Sequence, residues 1–337
     1  MKRFIRNALS LLTLICVIMT CGSCMDFTKI EEITVETDVP PKIVFLGDSI
    51  AAGFGLEGYS DDDLYSCDSY ANILRERYAA ELEGKCRQIT VNRAVSGDTS
   101  EDLIALLESG ELDEALADSD AVVVSIGGND MLAKLFELIS DIGYSFETKE
   151  YHISDADWLS LVTGLLSLGS DVDAEIDEFA VNLRRIAALI HERTGAALIV
   201  QTLYNPFETF DDVKKFAEIT EDKVGRFNAT VTENAEYEGE RLYYVADVAP
   251  AFEGKCRDLT NITDIDIHPN AEGHKRIADV VDTAVREHTY TYPDTVEVTD
   301  TDAVNLFTGL CIAGAVVTVG IIVIVVIAVV RSKKKRG

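Results

Sequence analysis

Four short stretches hold residue types that together can cleave an acyl bond. Ser49 stands in Gly47-Asp48-Ser49-Ile50-Ala51-Ala52-Gly53, and His268 in Asp264-Ile265-Asp266-Ile267-His268-Pro269-Asn270. Between them come Ser96-Gly97-Asp98-Thr99-Ser100 and Gly127-Gly128-Asn129-Asp130. A serine hydroxyl is a weak nucleophile until a base takes its proton. Imidazole serves as that base near neutral pH, since its unperturbed pKa is about 6.5. A carboxylate beside the imidazole fixes its tautomer and stabilises the imidazolium. Attack on an ester carbonyl creates an oxyanion, and donors held ready for it are worth roughly 3–4 kcal/mol each. Gly97, with no Cβ, lets a backbone N–H come close to such an oxygen. Asn129 brings an NH₂ donor that an aspartate lacks. Each residue also has a plainer use. Ser49 can cap a turn, Asn129 can form one after two glycines, and His268 can be a surface residue before a proline.

The surroundings of these residues argue for the chemical reading. Short apolar runs at 43–46, 90–94, 121–126, 196–202 and 242–246 have the Val/Ile/Leu character of strands buried on both faces. Helical patterns fill the gaps at 69–82, 100–116, 173–193, 211–235 and 271–288; Ile176, Phe179, Leu183, Ile186 and Ile190 recur at helical spacing. Alternation of this kind predicts one parallel five-stranded sheet with helices on both sides. Ligands of such sheets bind at the carboxyl ends of the strands. Ser49, Gly97 and Asn129 each follow a predicted strand, and His268 lies in the last loop before the final helix. Residues 131–170 interrupt the alternation with Tyr144, Phe146, Tyr151, Trp158 and a Leu-rich run, and read as a lid-like insertion or a small packed subdomain.

In order along the chain, GDSIAAG, SGDTS, GGND and DIHPN resemble the four sequence blocks of the SGNH (GDSL-type) hydrolases, over about residues 42 to 288. The SGDTS block with Asn92 is most like the secreted lipase, esterase and thioesterase branch. The resemblance implies a three-layer α/β/α, flavodoxin-like fold. It implies Ser49 as nucleophile, His268 as general base, and an oxyanion hole from the Ser49 and Gly97 N–H groups with the Asn129 amide. The family's acid stands three residues before the histidine, which here is Ile265. Asp266 is the expected acid, with Asp264 the alternative. The expected function is hydrolysis of a carboxylic ester or thioester, of lipid or small acyl type, through an acyl-serine. Two alternatives stay open: an O-acetyl esterase acting on carbohydrate or cell wall, and a non-catalytic binding module on the same scaffold. No cofactor is implied. The domain has no CxxC pair, and no second histidine stands at metal-ligand spacing.

The formal net charge of −29 excludes a nucleic-acid partner, because such a surface repels phosphate. Both ends of the 337-residue chain look like targeting elements. Residues 1–24 have Lys2-Arg3, an apolar run and small residues, the pattern of a secretory signal; Cys21 and Cys24 are candidate lipidation sites. Residues 305–330 are apolar and long enough to cross a bilayer. The basic tail 331–337 follows, which marks the cytoplasmic side. The expected organisation is signal (1–24), linker (25–41), hydrolase domain (42–289), linker (290–304), membrane helix and tail, with the domain outside the cell. Cys67, Cys86 and Cys256 lie between signal and span, an odd number that suggests one disulfide and one free thiol. Cys67 and Cys256 are both expected at the site edge, and a bridge between them would tie the His268 loop to the loop after Ser49. Asn228 and Asn261 head glycosylation sequons.

Overall fold

The computed structural model describes residues 26–131, 157–209, 214–264 and 266–334, with the short stretches 6–7, 10, 144–145 and 150–151. Most of the signal at 1–24 and about half of the insertion at 131–170 lie outside the described residues. The chain divides into two compact units, residues 35–292 and the combined ends 1–34 and 293–337.

In the larger unit, β2 (Lys42–Gly47) is flanked by β3 (Ile89–Asn92) and β4 (Ala121–Ser125), followed outward by β5 (Ala197–Gln201) and β6 (Tyr244–Ala246). All four pairings are parallel, in the order β6-β5-β4-β2-β3. Val44 pairs with Val91 on one side and Val122 on the other. Side chains alternate between faces along each strand. Val44, Leu46, Val122 and Val124 therefore pack with α3 (Ser100–Ser109), α4 (Asp157–His191) and α5 (Lys214–Glu233). Ile43, Phe45, Ala121 and Val123 pack with α2 (Tyr70–Glu81) and α6 (Ala271–Arg286). Ile43 to Leu46 are 0% exposed, so β2 is buried on both faces. The result is the predicted three-layer α/β/α, flavodoxin-like arrangement.

Polar side chains set where the helices begin. Ser69 accepts from the Asn72 N–H, and Thr99 forms a capping box with Asp102. Asn270 accepts from the N–H groups of Glu272 and Gly273 at the start of α6. The helix α4 begins at Asp157, sixteen residues before the periodicity at 173–193 suggests, so the Leu-rich run is its first part. Nothing there stops a helix: there is no proline, and a glycine such as Gly164 or Gly169 costs only about 1 kcal/mol.

The segments read as linkers are strands. β1 (Thr28–Thr37) and β7 (Tyr290–Thr299) pair into a two-stranded sheet. Their Thr and Val content favours extended chain, but each needs the other, more than 250 residues away, to pair with. In the smaller unit the Phe27 and Phe307 rings stand 5.4 Å apart. The last helix, Thr301–Lys334, buries none of its apolar stretch within the protein and is long enough to cross a membrane.

The expected Cys67–Cys256 bridge is absent. Cys67, Cys86, Cys256 and Cys311 are free thiols. Cys67 packs against the carbonyls of Ala52 and Gly53, and Cys256 Sγ lies 3.1 Å from the Asn205 carbonyl. Nearness to one sheet edge does not set the separation and orientation a disulfide needs. Both thiols instead fill separate core positions, where burial raises their pKa.

One aromatic pair links core to site. Phe179 and Phe227 stack at 4.5 Å, both almost wholly buried. A Cβ on Gly127, in the loop that carries Asn129, would stand 2.5 Å from Phe179 and 2.6 Å from Phe227. Phe227→Ala is expected to destabilise the domain by about 3–5 kcal/mol, measured by urea unfolding; a loss below 1 kcal/mol would mean that this contact is not built as described.

Candidate active site

The strand β2 delivers Ser49 under tight backbone constraint. Gly47 has φ 137°, and a Cβ there would lie 1.9 Å from the Ser125 carbonyl oxygen, so only glycine passes. The Asp48 N–H then donates to that same oxygen at 3.0 Å. Asp48 caps the short helix α1 (Ser49–Ala52) through Oδ1, which accepts from the Ile50 N–H at 3.0 Å. Ser49 is thus the first residue of a helix turn at the end of a central strand, and it is 8% exposed. The sheet order reverses between β2 and β4, so Ser49 and Asn129 follow the two strands that flank the switch point.

His268 Nε2 lies 2.9 Å from Ser49 Oγ, and His268 Nδ1 lies 2.5 Å from Asp266 Oδ1. Asp266 Oδ1 also accepts from the His268 backbone N–H at 3.0 Å. Burial works to raise the Asp266 pKa, but the hydrogen bonds from His268 outweigh it, and the carboxyl sits below its usual value. An ionised carboxylate only accepts, so Nδ1 carries the ring proton and Nε2 is left to accept from the Ser49 hydroxyl. This connected set can take a proton from a serine and hold it on an imidazole.

The loop carrying His268 is fastened on several sides. The Asn261 N–H donates to the His268 carbonyl at 2.9 Å, and the Asp266 N–H donates to the Asn261 carbonyl at 3.3 Å. The Tyr204 hydroxyl donates to the Ile267 carbonyl at 2.7 Å, and Thr260 forms an isolated bridge with Pro269. His274, one turn into α6, is fully buried and accepts the Tyr70 N–H at Nδ1. Burial drives its pKa down to about 3, so it stays neutral.

Two more strand ends meet on the other side. Asn129 Nδ2 donates to the Asp98 carbonyl at 2.8 Å, which commits one of its two amide hydrogens. Asp130 accepts from the Ser100 N–H and hydroxyl, and Asn182 donates to the same hydroxyl at 3.0 Å. The loops with Gly97 and Asn129 are therefore clamped together. Gly97 has φ 93°, and no atom lies within 4 Å of a Cβ placed on it. Asn92 ties β3 to the Ser49 turn, donating to the Ala51 carbonyl at 2.9 Å.

Three contributors carry no sequence signal of their own. Tyr204 acts only through its reach to Ile267. Asn261 heads a glycosylation sequon but serves the site through its backbone bonds to His268 and Asp266. Phe54 has its ring 4.7 Å from that of His268; an aromatic directly after the Ser49 turn is the one hint available.

Residues 45–276 match the family model described as "GDSL-like Lipase/Acylhydrolase family". Among solved structures the chain is similar to phospholipase A1 from Streptomyces albidoflavus NA297, with 18% identity, a TM-score of 0.54, and 72% of this chain and 98% of that one covered. It is also similar to an extracellular lipase from Streptomyces rimosus, with 20% identity, a TM-score of 0.53, and 72% and 99% covered. No curated protein matches the sequence.

Asp48 makes the site pH-sensitive in stability. Burial pushes its pKa from 3.8 up to about 7. A carboxyl whose native pKa is raised favours the fold fully below its unfolded pKa, and that contribution is lost as pH rises through the native value. Wild-type stability is thus expected to fall between about pH 4 and pH 7 and to level off above that. Asp48→Asn keeps the cap acceptor and removes the ionisation, so its urea midpoint should fall less over that range; parallel declines in the two proteins would refute this role for Asp48.

Proposed function

The chain belongs to the GDSL-like lipase and acylhydrolase family and is an ester-hydrolysing serine hydrolase, and from that premise we propose that Ser49, His268 and Asp266 are its catalytic triad. The observation that carries the reading is the 2.9 Å contact between Ser49 Oγ and His268 Nε2, backed by Asp266 on Nδ1. Ser49 Oγ attacks the ester carbonyl as its proton passes to Nε2. Asp266 holds the imidazole in orientation and stabilises the imidazolium. The oxyanion meets the backbone N–H groups of Ser49 and Gly97 and the second amide hydrogen of Asn129. Collapse expels the alcohol with the proton from Nε2. Water, activated by the same imidazole, then hydrolyses the acyl-serine.

The substrate we assign is a carboxylic ester or thioester of lipid or small acyl type. The family description favours this range, as do the similar extracellular lipase and phospholipase A1. We also infer that the enzyme is anchored by the helix Thr301–Lys334, with residues 35–292 outside the cell and the basic tail inside. The length and apolar character of that helix support this, and so do the five cations at its end.

Ser49→Ala should lower hydrolysis of short p-nitrophenyl esters about 10,000-fold or more, and should abolish labelling by a fluorophosphonate. Activity surviving the change would place the nucleophile elsewhere. Asn129→Ala should lower kcat about 100- to 1,000-fold with KM little changed; a loss confined to KM would remove Asn129 from the oxyanion hole. Ending the chain before Thr301 should move activity from the membrane to the soluble fraction, and activity that stays with the membrane would argue against the anchor.

A further inference from the structure

The turn after Ser49 does not leave the site. Gly53, Gly55 and Gly58 have φ of 91°, 86° and 85°, left-handed values that fold the chain back over His268. A Cβ on Gly55 would stand 3.3 Å from Asp266 Oδ2 and 3.5 Å from His268 Cβ, so this backbone rests directly on the pair. Between the glycines, the Phe54 ring lies 4.7 Å from the His268 ring, and Tyr59 meets Phe54 edge-on at 5.4 Å. Phe54 is 40% exposed. It touches the imidazole yet leaves a large apolar surface open to whatever enters the site.

This wall is preformed. The Tyr59 hydroxyl donates to the Asp61 carboxylate. Ser66 Oγ bonds the carbonyls of Gly58 at 2.7 Å and Asp63 at 2.6 Å. Asn72 Nδ2 holds the carbonyls of Leu64 and Cys67, each at 2.7 Å. A wall fixed this way loses little freedom when a ligand packs on it.

Chemistry decides which part of the ester meets it, given the triad proposed above. The Ser49 Oγ–carbon bond forms as the hydroxyl proton moves to His268 Nε2. The carbon–oxygen bond to the alcohol then breaks, and the same proton passes from Nε2 to the departing oxygen. That oxygen has to come within hydrogen-bond reach of Nε2. The alcohol half of the substrate therefore lies beside the imidazole, and Phe54 is packed on that ring. We propose that Phe54 and Tyr59 form the leaving-group subsite, an aromatic wall that favours esters of apolar or aryl-substituted alcohols, while acyl preference is set by other residues.

The test uses the full chain in detergent with ethyl, n-hexyl and 2-phenylethyl acetates, and a p-nitrophenyl series of increasing acyl length. Wild type should prefer the two larger alcohols. Phe54→Ala should lower kcat/KM for 2-phenylethyl acetate about tenfold relative to ethyl acetate, with the order of acyl preference unchanged. Phe54→Leu, a milder change that retains apolar volume, should recover the n-hexyl ester more than the 2-phenylethyl ester. A loss equal for all three alcohols would mean that Phe54 only positions His268, and a change in acyl preference would put the subsite elsewhere; either overturns the assignment. A wild-type enzyme that hydrolyses none of these esters and takes no fluorophosphonate label would instead overturn the triad beneath it.

Discussion

The hydrogen bond from Ser49 to His268 joins residues 219 positions apart, and the rest of the site is organised around keeping it short. Neither residue is fixed by its own neighbours alone. Ser49 is held from behind by a strand buried on both faces and by the Ser125 carbonyl, which excludes any Cβ at Gly47. His268 is held by bonds at its side chain, its N–H and its carbonyl, and by the Tyr204 hydroxyl on the residue before it. A displacement of about 1 Å between such groups can cost a hundredfold in rate. Fastening from the protein side keeps the gap from depending on the substrate.

Acidity is distributed to suit that bond. Asp48, Asp98, Asp130 and Asp266 all come to the same edge, and four full negative charges there would repel one another. Burial raises the pKa of the first three, whereas hydrogen bonds from His268 lower that of Asp266. The negative charge is thus most secure where the imidazole can use it. Asp48 and Asp130 serve mainly as acceptors for backbone and hydroxyl groups. Pushing the pKa values of neighbouring carboxylates apart is how one site assigns them different work.

The sheet was legible because burial on both faces leaves a local mark: the runs at 43–46 and 121–126 are apolar without alternation, and no other element needs that. Ser49, Gly97, Asn129 and His268 were legible as candidates because their types stand at strand ends or in the last loop. Properties set by distant partners were not. The strands Thr28–Thr37 and Tyr290–Thr299 look like linkers singly, since a ribbon exists only when both are present. The start of α4 was missed because its Leu-rich turns resemble an insertion as much as a helix. A shared sheet edge suggests a Cys67–Cys256 pair, but each thiol packs instead against a backbone carbonyl of its own surroundings. Phe54, Tyr204 and Asn261 act through a few contacts with residues far along the chain, and such contacts leave no periodicity to read.

The loop from Gly53 to Cys67 joins two tasks that many enzymes keep apart. It begins at the turn that holds Ser49, and it ends where Cys67 and Ser69 pack under Gly53, whose own Cβ would clash with both at 2.7 and 2.8 Å. Its path is therefore set by the same glycines that let the chain leave the serine. A loop that cannot be rerouted without moving Ser49 can vary only in the side chains it presents. Phe54 and Tyr59 are such positions: their rings meet edge-on, and Phe54 lies against His268. On the proposed reading, the backbone of this loop answers to the chemistry common to the whole reaction, and its aromatic side chains answer to the particular alcohol that leaves.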